Sequence, residues 1–149
     1  MLISGTWHVC DDGLIRPVIR AEVQAYDGSW IKAPLLLDTG ADRTVFSTDI
    51  LTAFRLQPVV AETRLGGVGG VARAIIVETR IRLTYENQGK VMLRGQYAAI
   101  TDATALDMSV LGRDVTHLFA LIVDWPQRVV CLLGQRHQYA IIQQSGDTG

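Results

Sequence analysis

The chain has 149 residues, 48% of them hydrophobic and 19% charged, with a net charge of −1; that is enough for one domain with its own core, and the balance leaves no electrostatic footprint for nucleic acid or an anionic membrane. Its apolar stretches, such as LFALIV at 118–123, fall far short of the roughly 20 residues that span a bilayer. Two cysteines, Cys10 and Cys131, are too few for a disulfide scaffold and lack metal-ligand spacing, and the N-terminus has no basic start followed by a long apolar run, so a soluble cytoplasmic protein is expected.

From the N-terminus onward the pattern is mainly β. Residues 16–26 (RPVIRAEVQAY) alternate Val18, Arg20, Glu22 and Gln24 against Ile19, Ala21, Val23 and Ala25, the period of a strand. Asp27-Gly28 supplies a hairpin turn, and WIKAPLLLD resumes as a strand. Residues 47–54 (STDILTAF) predict a short helix with Ser47 or Thr48 as its N-cap and Ile50, Leu51 and Phe54 on one face. The strand-like AETRL and VARAIIVETRIRLTYE flank GGVGG at 66–70, and Asn87-Gln88-Gly89 turns into a further strand, KVMLRGQYAAI. SVLGRDVTHLF then passes from strand to short helix, and ALIVDWPQRVVCLLG reads as a hairpin around Trp125-Pro126. The polar tail from about residue 144 is expected to fray. With no linker or low-complexity segment, residues 1–149 read as a single domain.

Within this frame LLLDTGADRTVF, residues 35–46, hangs the Asp38 carboxylate where an apolar strand ends. Asp and Gly serve turns through their backbone chemistry alone. Three preceding leucines, however, predict partial desolvation, which is costly for a carboxylate unless something recovers it. A faint echo links LLLDTG…STDILTAF to SVLGRDVTHLF, since both run apolar strand, glycine-containing turn, short helix. Gly67-x-Gly69-x-x-Ala72 superficially fits a dinucleotide fingerprint, but that motif needs a helix after its glycines and a β-branched run follows.

The string LLLDTGADRTVF resembles the active-site segment of the retroviral-type aspartic proteases, the retropepsins. GGVGG resembles the glycine-rich tip of their flap, and VLGRD resembles the apolar-Gly-Arg-Asn/Asp motif that opens their helix. The three motifs stand in the family's order, and the resemblance runs from about residue 16 to 133. It implies a mainly β acid-protease fold, closed and barrel-like, with one or two short helices, active as a C2 homodimer. It implies an aspartic endopeptidase acting on extended polypeptide between apolar residues, with no metal or organic cofactor.

The resemblance also assigns roles by position. Asp38 carries the catalytic carboxylate, and the chain holds one such motif, so the second carboxylate would come from another copy. Thr39 makes hydroxyl-to-backbone bonds across the dimer axis, and Gly40 lets the loop approach substrate without a Cβ. Ala41, Asp42 and Arg43 adjoin substrate, and Leu36, Val45, Leu65 and Val110 line apolar subsites. Gly66, Gly67, Val68, Gly69 and Gly70 form the flap tip, and Asp42 with Arg113 forms a buried ion pair near the interface.

Three departures qualify this. Ala41 replaces a serine common outside the viruses, which removes a hydrogen bond to the carboxylate and predicts an optimum less acidic than pepsin's. Arg43 stands where viral enzymes are often acidic. Finally, 37 residues follow Gly112, more than in the viral enzymes, whose dimers interleave both termini; strands from residues 2–10 or 128–143 could build another interface. Two other functions fit the same residues: a catalytically silent dimeric peptide-binding module, and a self-processing protease released from a precursor, which an initiating Met1 opposes.

Overall fold

The computed structural model describes residues 1–67, 70–134 and 140–142. Among the described residues, eleven strands and two short helices follow in the order β1 (Leu2–Ser4), β2 (Thr6–Val9), β3 (Ile15–Gln24), β4 (Trp30–Leu37), β5 (Val45–Phe46), α1 (Thr48–Phe54), β6 (Pro58–Gly67), β7 (Gly70–Thr84), β8 (Lys90–Ile100), β9 (Val110–Leu111), α2 (Arg113–Thr116), β10 (Ala120–Asp124) and β11 (Val129–Leu133). No helix among the described residues is long and apolar enough to cross a membrane.

Eight strands form one sheet in the order β2-β3-β4-β9-β5-β8-β7-β6. The sheet closes on itself where β3 also meets β7, with Glu22 opposite Arg82 and Val23 opposite Ile81. The expected barrel-like closure is therefore present, and β2 and β6 stand outside the ring. A bidentate pair crosses the seam: Arg82 donates to both Glu22 carboxylate oxygens at 2.8 and 2.9 Å. That guanidinium holds the Glu22 carboxyl below its ordinary range.

The period-two patterns determine which face is buried. Ile19, Ala21 and Val23 of β3, Leu35 and Leu37 of β4, and Val77, Ile81 and Leu83 of β7 all enter one core, which Phe54 of α1 closes. The β3–β4 turn forms as expected, with Gly28 at φ +85°, the left-handed conformation that glycine adopts without strain. Ser47 is the N-cap of α1, but its side chain makes no capping bond to the helix. Its N–H donates instead to Ser109 Oγ at 2.9 Å, tying the helix start to the chain before β9.

The N- and C-terminal strands build a second sheet, ordered β1-β11-β10. Ser4, Ile3 and Leu2 face Cys131, Leu132 and Leu133 in antiparallel register. The expected Trp125-Pro126 hairpin forms between β10 and β11. The tail expected to fray lies outside the described residues.

Candidate active site

Asp38 sits half-buried immediately after β4. Its strand is wedged against β9 in parallel, Leu36 opposite Val110 and Leu37 opposite Leu111. Its N–H donates to the Leu111 carbonyl at 3.3 Å, continuing that ladder into the turn. The side chain is fixed locally as well: Gly40 N–H donates to Asp38 Oδ1 at 2.9 Å, and Ala41 N–H donates to the Asp38 carbonyl at 3.3 Å. A Cβ on Gly40 would stand 3.2 Å from that same Oδ1, tighter than most real contacts, so glycine suits a turn that folds over its own carboxylate. Thr39 and Gly40 are exposed at the turn's apex.

The echo between the two strand-turn-helix segments corresponds to a physical joint. After β4 and β9 run side by side, their loops bond to each other: Arg113 N–H donates to the Ala41 carbonyl at 2.8 Å and Asp114 N–H to the Asp42 carbonyl at 3.2 Å. At the crossing Thr44 is fully buried. Its N–H and Oγ1 both donate to Asp114 Oδ1, at 2.9 and 2.7 Å, while Oγ1 accepts from Gly112 N–H at 3.1 Å. A Cβ on Gly112 would lie 2.3 Å from the Arg43 carbonyl carbon and oxygen, so at this position the motif glycine is required by close approach of two backbones. Close by, burial and then the Asp114 charge push the Tyr97 hydroxyl up to about 12.

Asp42 and Arg113 do meet, the guanidinium donating to Asp42 Oδ1 and, at 3.4 Å, to the Thr39 carbonyl. The expectation of a buried pair is corrected in the single chain: the Asp42 side chain is 79% exposed and that of Arg113 40%, because both stand on the outer side of the crossing loops. A pair this wet contributes at most about 1 kcal/mol. Arg43 is exposed beside it, and Ala41 is half-buried.

Three of the four apolar subsite candidates fall into one row. Leu36 lies opposite Val110, Val110 opposite Val45, Val45 opposite Ala98, and Ala98 opposite Ile76, crossing five strands. Each alternates with a neighbour of the main core cluster, such as Leu35, Leu37, Leu111, Phe46, Ala99 or Val77, so the row lies on the opposite sheet face, where Val110, Ala98 and Ile76 are themselves buried and Leu36 and Val45 half-buried. Asp38 follows Leu36 by two residues and continues that face. Leu65 is separate, opposite Ala72 on the β6–β7 hairpin. Gly66 and Gly67 end β6, and Gly70, at φ +113°, begins β7 opposite Gly67. The strand after these glycines removes the dinucleotide alternative. Val68 and Gly69 lie outside the described residues.

The sequence did not single out Thr44 or Ser109, and it marked Ser47 only as a helix N-cap candidate. The signal for Thr44 was its place in the DTGADRT string, but its partner Asp114 is 70 residues away.

Comparison with solved structures places the fold. A retropepsin-like aspartic protease from Rickettsia conorii superposes with a TM-score of 0.53 at 17% identity, over 89% of this chain and 88% of that one. The EIAV protease complexed with the inhibitor HBY-793 aligns with a TM-score of 0.48 at 22% identity, over 68% of this chain and 86% of the other. No protein-family model and no curated protein matches the sequence. The chain has the retropepsin-like fold.

Proposed function

We propose that the protein is an aspartic endopeptidase whose active site joins Asp38 of two copies. The observation that carries this reading is Asp38 itself: a carboxylate at the end of a core strand, oriented by the Gly40 amide at 2.9 Å, beside an exposed Thr39-Gly40 apex where a second copy can approach. Pure peptide binding gives no reason for such a carboxylate.

The chemistry follows from the pairing. Two carboxylates a few ångströms apart cannot both ionise, so they share one proton, and their apparent pKa values belong to the pair. The ionised member takes a proton from a water held between them as its oxygen attacks the amide carbonyl carbon, and the protonated member gives its proton to the carbonyl oxygen. Collapse of the tetrahedral intermediate breaks the C–N bond: the carboxyl that took the water's proton gives it to the leaving nitrogen, and one hydroxyl of the intermediate returns its proton to the other carboxylate as the carbonyl re-forms, releasing acid and amine. The apolar row of Leu36, Val110 and Val45 supplies a floor for apolar side chains of an extended substrate. Ala41, Asp42 and Arg43 flank it. In this reading the β6–β7 hairpin, with Leu65, Gly66, Gly67 and Gly70 at its described end, is the cover of the cleft, and its amides bond the substrate backbone as an added strand would.

Wild type and Asp38→Asn should be compared on a diverse peptide library from about pH 4 to 7, with and without a pepstatin-type inhibitor. Cleavage by wild type alone, blocked by the inhibitor, is the expected result, with a loss of at least about 10²–10⁴-fold in the variant. Equal inactivity of both would favour the binding module.

A further inference from the structure

We infer that residues 139–142 of this chain, Tyr-Ala-Ile-Ile, add as a strand to the open edge of β8, in the groove between that edge and α2. The inference uses neither Asp38 nor substrate, so it stands apart from the endopeptidase reading.

The edge is long and bare. β8 pairs with β7 along its whole length, from Thr84 opposite Lys90 to Ala74 opposite Ile100, but with β5 only at Ala98 and Ala99. Two hydrogen bonds fix which groups point outward. Tyr85 N–H donates to the Gly89 carbonyl at 2.7 Å, which makes these two a bonded pair. By the alternation of an antiparallel ladder, Val91, Leu93 and Gly95 then bond β7 as well. On the other side Ala98 N–H donates to the Thr44 carbonyl at 3.2 Å. Met92, Arg94 and Gln96 share the phase of Ala98, so their amides and carbonyls face away from β7. Among the described residues no strand pairs with them. The stretch holds no proline, its ladder to β7 runs without a bulge, and Arg94 is drawn onto Glu78. An edge of this kind is a template for another strand.

The space beside it suits an apolar strand. A groove of about 350 Å³ is walled by β8 on one side and by Asp114, Val115 and Leu118 on the other. Leu118 is 61% exposed. Leu93 and Tyr97 lie on the core face of β8 and Met92 on the opposite face, so an added strand meets apolar surface on both.

Where the chain leaves the fold selects the occupant. Leu133 of β11 lies opposite Ala120, two residues beyond Leu118. A Cβ on Gly134 would stand 2.9 Å from the Tyr85 hydroxyl, and Tyr85 opens the turn into β8. The chain therefore departs where the two walls of the groove come together. Residues 135–138 can span about 13 Å, and the next four, YAII, carry no charge, proline or glycine. Ile141 and Ile142 are the most exposed large hydrophobic side chains among the described residues, at 96% and 83%. Being adjacent, they point to opposite faces of a strand, one toward Leu93, Val115 and Leu118 and the other toward Met92. A segment entering from the Lys90 end runs parallel to β8, the direction in which β5 already pairs with it.

Hydrogen exchange, followed residue by residue on the full chain, reads the edge directly. The amides of Met92, Arg94 and Gln96 are the reporters, and those of Val91, Leu93 and Gly95 are the control. At least two of the three reporters are expected to exchange about tenfold or more slowly in wild type than in the double variant Ile141→Asp, Ile142→Asp, with the control amides unchanged. Leu118→Asp, on the facing wall, should release the same amides, whereas Ile141→Val with Ile142→Val should keep them protected. Equal reporter rates in wild type and the tail aspartate variant overturn the inference, as does an edge that stays protected in Leu118→Asp. Protection that fades on dilution would give the edge to a segment of a second copy and overturn it too.

Discussion

The turn at residues 38–44 and the strand ends at Gly66, Gly67 and Gly70 are both glycine-bearing, yet their surroundings are opposite. The first is crossed by a second loop and bonded to it through Ala41, Asp42 and Thr44, with Thr44 fully buried. The second is the end of a hairpin held by its own ladder, and a Cβ on Gly66, Gly67 or Gly70 would meet nothing within 4 Å. The contrast matches two demands of the proposed catalysis. A carboxylate must be oriented before the reaction begins, whereas a cover over a cleft must open to admit a chain. Glycine serves the first by permitting contact, and on the proposed reading serves the second by leaving open space around it.

The sharpest way to break that contrast is Gly112→Ala. The added methyl would meet the Arg43 and Thr44 backbones at 2.3–2.7 Å, and these atoms cannot rotate aside. Overpacking of this kind costs about 3 kcal/mol, so a large fall in thermal midpoint is expected, with peptide cleavage lost alongside it. A wild-type melting curve would mean that the crossing is looser than its hydrogen bonds imply.

Thr44→Val tests the same joint more gently. The shape is kept, the Thr44 N–H still reaches Asp114, and the Gly112 N–H loses its acceptor. A buried amide left without a partner costs about 2 kcal/mol, to be read from denaturant midpoints. Activity should fall further than stability alone accounts for, because the loop that orients Asp38 hangs from this bond.

How far these regions were legible in the sequence depends on how far apart their partners lie. The strand before Asp38 and the hairpin turns at Gly28 and Gly89 are written in neighbouring residues, by alternation and by turn chemistry, and they formed as read. The face shared by Leu36, Val45 and Val110 was reached through resemblance; periodicity alone does not say that β4, β9 and β5 are neighbours. Thr44 was passed over because a threonine in a polar turn looks solvated until Asp114 is folded against it. The Asp42–Arg113 pair was legible in identity but not in exposure, since burial is a property of what covers a side chain. Pairing of β1 with β11 joins opposite ends of the chain, and no local pattern announces it.

The smallest effects belong to the hairpin, and there two glycines separate conformation from contact. Gly70 has φ +113°, which L-residues rarely adopt, whereas Gly66 has no positive φ and open space around its α-carbon. Gly70→Ala should therefore cost about 1 kcal/mol through strain, and Gly66→Ala close to nothing. Cleavage assays turn the pair into a test of the cover. If the tip amides bond substrate, Gly70→Ala, which tilts the first residue of β7, should raise KM while leaving the Asp38-dependent pH profile unchanged. Gly66→Ala should leave both constants near wild type. Equal effects from the two substitutions would mean that the hairpin acts through bulk near the cleft, and the distinction between a fixed turn and a movable one would lose its chemical meaning.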